Sequence, residues 1–136
     1  MLREMTINDY DQMLALWNAI EGLALSAADS KPNIAMYLER NPGLSYVFEA
    51  DGLIVGTVLC GHDGRRGFIY HAAVNPAYRN QRIAQQLISK SLQGLREAGI
   101  DKCHLFVLDD NEIGQAFWSR RGWEKRSGFA VYSTDV

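Results

Sequence analysis

Apolar residues recur at intervals of three and four near the middle of the chain: Ile83, Ala84, Leu87, Ile88, Leu92 and Leu95 form one stripe, with Gln85, Lys90 and Gln93 opposite. That period marks an amphipathic helix burying one face. It predicts a helix starting near Gln81 and stopping at Gly99. A shorter stripe, Met13, Leu16, Trp17 and Ile20, predicts a helix entered past the capping residues Thr6 and Asn8 and the acidic Asp9, and broken at Gly22. Residues 23–31 are small, polar and weakly periodic until Pro32 admits a second helix through Ile34, Met36, Tyr37 and Leu38. Residues 2–5 read as a short strand. Residues 45–50 and 53–60 flank Asp51-Gly52, a two-residue hairpin signal. After a looser turn over 61–67, residues 68–75 form the central strand, which ends at Pro76, a residue that cannot donate to a ladder and restricts its predecessor. Residues 102–108 read as a fifth strand, 113–121 as a short helix, and 123–132 as a closing strand or hairpin broken around Ser127-Gly128.

This order implies a mixed sheet, antiparallel hairpins coming first and a right-handed strand–helix–strand crossover then giving a parallel pair. At 136 residues and 47% hydrophobic content, the chain is expected to form one soluble domain over 1–136. Its net charge of −2 gives no reason for nucleic-acid or anionic-membrane binding, so any phosphate site must be local. No apolar run of about 18 residues and no leader pattern is visible, and cytoplasm is the expected location. Cys60 and Cys103 have neither metal-site nor disulfide spacing and read as buried reduced thiols. No metal site is expected.

The stretch from Val74 to Leu92 carries the clearest candidate chemistry. A strand, a tight entry and a helix follow without a gap, and the unpaired N–H groups at the helix start, with the positive end of its dipole, suit a phosphate or pyrophosphate. Arg79 adds a fixed charge. The run Arg79-Asn80-Gln81-Arg82-Ile83-Ala84 resembles the pyrophosphate loop of the GNAT N-acetyltransferase superfamily, Arg/Gln-x-x-Gly-x-Gly/Ala, with Arg82 standing where Gly is usual. A second run, from Asn111 through Gly114 and Trp118 to Gly122-Trp123, resembles the superfamily's Asn-x-x-Ala-x-x-x-Tyr-x-x-x-Gly-Phe segment. Here Gly114 replaces Ala, Trp118 replaces Tyr and Trp123 replaces Phe.

The resemblance implies an α/β (α+β) fold of GNAT type: a mixed, mostly antiparallel sheet of six to seven strands with a parallel splayed pair, flanked by about four helices. It implies an N-acetyltransferase in which a neutral primary amine attacks the thioester of acetyl-CoA directly, through an intermediate whose oxyanion a backbone N–H holds. Ala72, Ala73 and Val74 would pair with the pantetheine arm in the cleft between strands four and five. The loop of Arg79, Asn80, Gln81, Arg82, Ile83 and Ala84 would hold the pyrophosphate, and Asn111 and Trp118 would also touch the cosubstrate. Arg82 has a rival reading as a side chain that leaves the loop, and Asn111 as the cap of the next helix. Trp118 occupies the general-acid position, but an indole N–H cannot release its proton at accessible pH. For the base, Tyr70 and His71 are nearest on the central strand, and strand alternation lets only one face the cleft unless a bulge intervenes; water relaying a proton to Glu21 is a third route. Position favours Tyr70, ordinary pKa His71. Acceptor contacts implied by the resemblance are Trp17, Glu21, Leu25, Ser26 and Asp29; equally, Trp17 is core and Glu21 and Asp29 are solvated helix-end charges. The alternative function is a CoA-binding regulatory or interaction module without catalysis. Monomer and homodimer both fit.

Overall fold

A computed structural model describes all of residues 1–136, in two compact units, Met1–Phe106 and Val107–Val136. The first unit carries a five-stranded sheet in the order β1 (Leu2–Glu4), β2 (Tyr46–Ala50), β3 (Leu53–His62), β4 (Gly67–Val74), β5 (Cys103–His104). All neighbours are antiparallel except β4 and β5. Helices α1 (Tyr10–Ala19) and α2 (Lys31–Arg40) pack on one face and α3 (Ile83–Glu97) on the other, as the side-chain contacts below establish. The second unit contains α4 (Glu112–Arg120). No helix is long and apolar enough to cross a membrane.

Local chemistry explains most boundaries. Asp51 and Gly52 both take positive φ (54° and 75°), as a type I′ hairpin turn requires. Ser30 caps α2 by accepting from the Asn33 N–H, with Pro32 in the first turn. α3 starts at Ile83, two residues later than the pattern predicts, because residues 80–82 form a separate turn.

Glycines let α3 lie close to the sheet. A Cβ on Gly56 would stand 2.9 Å from Ile83 and 3.0 Å from Leu87, and one on Gly67 2.6 Å from Leu95. On the opposite face Trp17 is fully buried, and its indole N–H donates to Thr57 Oγ1 at 2.9 Å. Thr57 in turn donates to the His71 carbonyl at 2.8 Å. This lone polar residue in an apolar strand thus ties α1, β3 and β4 together.

Two expectations need correction. The sheet has five strands, not six to seven, because residues 122–136 form no strand. Gly128 interrupts that segment at φ 95°, leaving arms of about four residues, and an isolated two-stranded hairpin of that size is marginal in water. β5 is also shorter than predicted: it pairs only Gly67 with Cys103 and Phe68 with His104. Beyond Phe68 the two strands part, leaving the β5-side edge of β4 open over residues 69–74.

Both thiols are free. Burial pushes Cys60 up to about 12 and Cys103, which is half-buried, up to about 11, so neither is a thiolate near neutral pH.

Thr57→Val keeps the side-chain shape while stranding the buried Trp17 N–H. It is expected to cost ~1–3 kcal/mol, read as a lower urea midpoint at unchanged slope. A loss under about 0.5 kcal/mol would show that the bridge is not a net contributor.

Candidate active site

β4 carries one residue more than β3 between their paired positions. Thr57 faces Ala73 and Leu59 faces Tyr70, so Val58 alone opposes His71 and Ala72. The extra residue is accommodated by His71 at φ 47°, a left-handed conformation unusual for a non-glycine. A bulge shifts side-chain parity, and the contacts show the result. Tyr70 meets Tyr37 of α2 edge-on at 6.4 Å between ring centroids, while His71 packs on Trp17 of α1 at 4.7 Å. Consecutive residues therefore face the same helical layer.

The His71 imidazole is held from a second side. Its Nε2 lies 2.7 Å from Asp29 Oδ1, and both side chains are about nine-tenths buried. Asp29 belongs to a one-turn 3₁₀ helix, Ala27–Asp29, in the connection between α1 and α2. Its Oδ2 accepts from the Ser26 N–H at 3.0 Å, and its carbonyl accepts from the Tyr10 hydroxyl at 2.6 Å. His71 Nδ1 makes no hydrogen bond within the protein and is not a buried unpartnered atom, so it retains exposure to solvent.

Around this pair, Tyr70 is 38% exposed, and burial raises its hydroxyl above the usual tyrosine range. It remains a phenol at neutral pH, able to donate a hydrogen bond and poorly able to accept a proton. Phe68 stacks beside Tyr70 (6.3 Å) and beside Phe106 (6.1 Å), giving an aromatic surface that the sequence reading missed. Tyr37 was also missed. Its hydroxyl is the one buried side-chain oxygen or nitrogen without a partner, pressed onto Gly61 where any Cβ would collide with it.

Among the residues proposed for the acceptor side, Asp29 and Ser26 are joined by the capping bond, and Asp29 reaches His71. Trp17 is core, bonded to Thr57. Leu25 is half-buried against the apolar cluster of α1 and α2, and Glu21 is exposed beyond the end of α1. No group of His, Cys, Asp and Glu suited to a metal ion is present.

At the C-terminal end of β4, Asn75 accepts from Ala77 N–H and Pro76–Tyr78 makes a 3₁₀ turn, anchored by Tyr78 donating to Asp51 at 3.1 Å. Asn80 and Arg82 then adopt left-handed conformations (φ 66° and 60°), and Arg82 is the N-cap residue of α3. The first helix-type bond into this turn is Gln86 N–H to the Arg82 carbonyl. The N–H groups of residues 80–85 meet no acceptor in the protein. Six unpaired donors at the positive end of a 15-residue helix, with exposed Arg79 and Arg82 beside them, are chemically suited to an anion. Ala72, Ala73 and Val74 lie just before it on the open stretch of β4.

In the second unit, Asn111 Oδ1 accepts from the Gly114 N–H at 2.9 Å and so caps α4. A Cβ at Gly114 would come within 2.6 Å of the Asn111 amide, which explains glycine there. Trp118 packs on Phe117 (5.0 Å) and edge-on against Trp123 (4.9 Å).

Residues 10–123 match the model of the Acetyltransferase (GNAT) family. The chain belongs to that family. An acetyltransferase of Pectobacterium atrosepticum is 36% identical over 117 residues, covering 86% of this chain and 82% of the relative. Among solved structures, Ard1 from Thermoplasma volcanium superposes with a TM-score of 0.81 at 18% identity over 93% of this chain and 84% of that one. The aminoglycoside 6'-N-acetyltransferase AAC(6')-IG of Acinetobacter haemolyticus does so at 0.81 and 16% identity, over 100% and 99%. These two likenesses concern the fold.

The left-handed φ at Arg82 gives a physical reason for the glycine usual at this place in the loop. Arg82 precedes the helix in a conformation that costs an L-residue about 1–2 kcal/mol. Arg82→Gly relieves this but loosens the unfolded chain by about 0.5–1 kcal/mol, so stability should hold or rise by up to ~1 kcal/mol. Thermal unfolding checks this; a clear fall in Tm would mean that the Arg82 side chain stabilises the turn.

Proposed function

We propose that this protein transfers the acetyl group of acetyl-CoA to a primary amine. One observation carries the reading: a family member presents six unpaired N–H groups over residues 80–85, flanked by Arg79 and Arg82. A diphosphate matches that donor set in charge and in its many acceptor oxygens. Acetyl-CoA, when bound, supplies the activated thioester. The open edge of β4 offers backbone partners to an extended amide-bearing arm, and Ala72 and Ala73 let such an arm approach closely. A neutral amine is the nucleophile, so a group beside β4 must accept its proton. His71 is better suited than Tyr70, whose hydroxyl burial keeps protonated. A thiol of Cys type has a pKa of about 8.5, so the leaving sulfur tolerates the lack of an acid at Trp118.

Calorimetry should detect CoA at micromolar strength or better; no binding up to millimolar ligand defeats the proposal. Arg79→Ala should weaken binding by roughly 1.5–3 kcal/mol, the worth of one charge-assisted contact, whereas Arg82→Gly should stay within a few-fold because backbone groups supply most of the donors. Thiol release across an amine library then separates an enzyme from a module that binds CoA without turnover.

A further inference from the structure

From the Asp29–His71 contact we infer that Asp29 is the positioning residue for a His71 general base, making the two a carboxylate–imidazole dyad assembled by the β4 bulge. The inference rests on the acetyltransferase reading and deepens it. With Asp29 Oδ1 at 2.7 Å from Nε2, the neutral imidazole carries its proton on Nε2 and donates it to the carboxylate. Nδ1 then holds the lone pair, and it is this nitrogen that keeps solvent exposure and has no partner in the protein.

Asp29 cannot swing away freely. Its other oxygen caps the Ser26 turn and its carbonyl is tied to Tyr10. His71 is fixed equally well, its carbonyl bonded to Thr57 and its ring packed on Trp17. Holding a non-glycine residue at φ 47° costs free energy, and the conformation turns the imidazole towards Asp29 and the α1–α2 layer.

The proton balance is simple. An amine N–H proton passes to Nδ1, directly or through one water, as the nitrogen lone pair forms the N–C bond to the thioester carbonyl. The C–S bond breaks with its electron pair leaving on sulfur, and the proton on Nδ1 is released to the thiolate or to solvent. Throughout, Asp29 accepts from the Nε2–H and holds the ring in place. The titratable groups around the imidazole are Asp29 from the connection, Tyr10 of α1 through the Asp29 carbonyl, and Tyr70 on β4; Trp17 and Thr57 carry no charge.

The test uses full-length protein with ¹⁵N-labelled histidine, the chain having three. His71→Asn assigns the resonance and tolerates left-handed φ; Asp29→Asn keeps the capping chemistry while removing the charge. The neutral His71 signal should report the Nε2–H tautomer, and Asp29→Asn should shift the tautomer ratio towards Nδ1–H. With acceptors that the amine screen identifies, His71→Asn should reduce kcat by ~10²-fold or more with the KM for acetyl-CoA little changed. Asp29→Asn should lower kcat by about tenfold or more with the KM for acetyl-CoA little changed. A merely structural Asp29 would leave the His71 tautomer ratio in place. An Nδ1–H tautomer in the unaltered protein, an unchanged tautomer ratio in Asp29→Asn, or a loss below about threefold in His71→Asn overturns the dyad. If CoA does not bind and no amine is acetylated, the acetyltransferase reading fails, and the tautomer ratio still decides whether the pair exists as described.

Discussion

The single extra residue of β4 opposite Val58 is the constraint from which the site follows. In a regular strand Tyr70 and His71 would face opposite layers. The bulge puts both towards α1 and α2 and also resets the strand, so that Ala73 beyond it packs into the α1 core while Val74 opposite Gly56 turns to α3. Thr57 makes the arrangement rigid. Its hydroxyl accepts from Trp17 and donates to the His71 carbonyl, so both of its hydrogen bonds position the bulge against α1. A buried hydroxyl with both partners in place is stable where a half-satisfied one would be costly.

A second constraint sets the distance from this bulge to the unpaired N–H groups at the start of α3. Gly56 and Gly67 allow α3 to rest almost on the backbone of β3 and β4, gripping the helix near its start through Ile83 and Leu87 and near its end through Leu95. The six unpaired N–H groups therefore open beside the C-terminal end of β4. Because β5 leaves β4 after Phe68, the strand between the bulge and these groups has a free edge.

Elements governed by neighbours in sequence were legible in the sequence. The α3 stripe, the Asp51-Gly52 turn, the Pro32 helix entry and the stop at Pro76 each rest on a local rule. Other features depend on partners far along the chain. The bulge is decided by a β3–β4 register that no local pattern encodes, and Asp29 meets His71 across 42 positions. Sequence alternation raised the possibility of a bulge but could not locate one. Thr57 did leave a signal, since a lone polar residue in a buried apolar run calls for a partner. Residues 123–132 failed as a strand prediction because alternation alone supplies no neighbour to pair with.

Strain gives the last link. Of the four non-glycine residues with positive φ, Asp51 is required by its hairpin, and the other three are His71, Asn80 and Arg82. All three fall within twelve residues, one at the bulge and two in the turn opening α3. None needs a left-handed conformation merely to reverse the chain, and each could be relieved by glycine. Strain of this kind persists where surrounding structure over-determines it, and it gathers where a group must be aimed. At residues 80–82 it accompanies backbone N–H groups left unpaired at the start of α3. At His71 it aims an imidazole at a carboxylate. The same stretch of chain thus distorts twice, once in the turn whose N–H groups stay unpaired and once where the imidazole meets the carboxylate. The proposed transfer of an acyl group from an anionic carrier to an amine would use both.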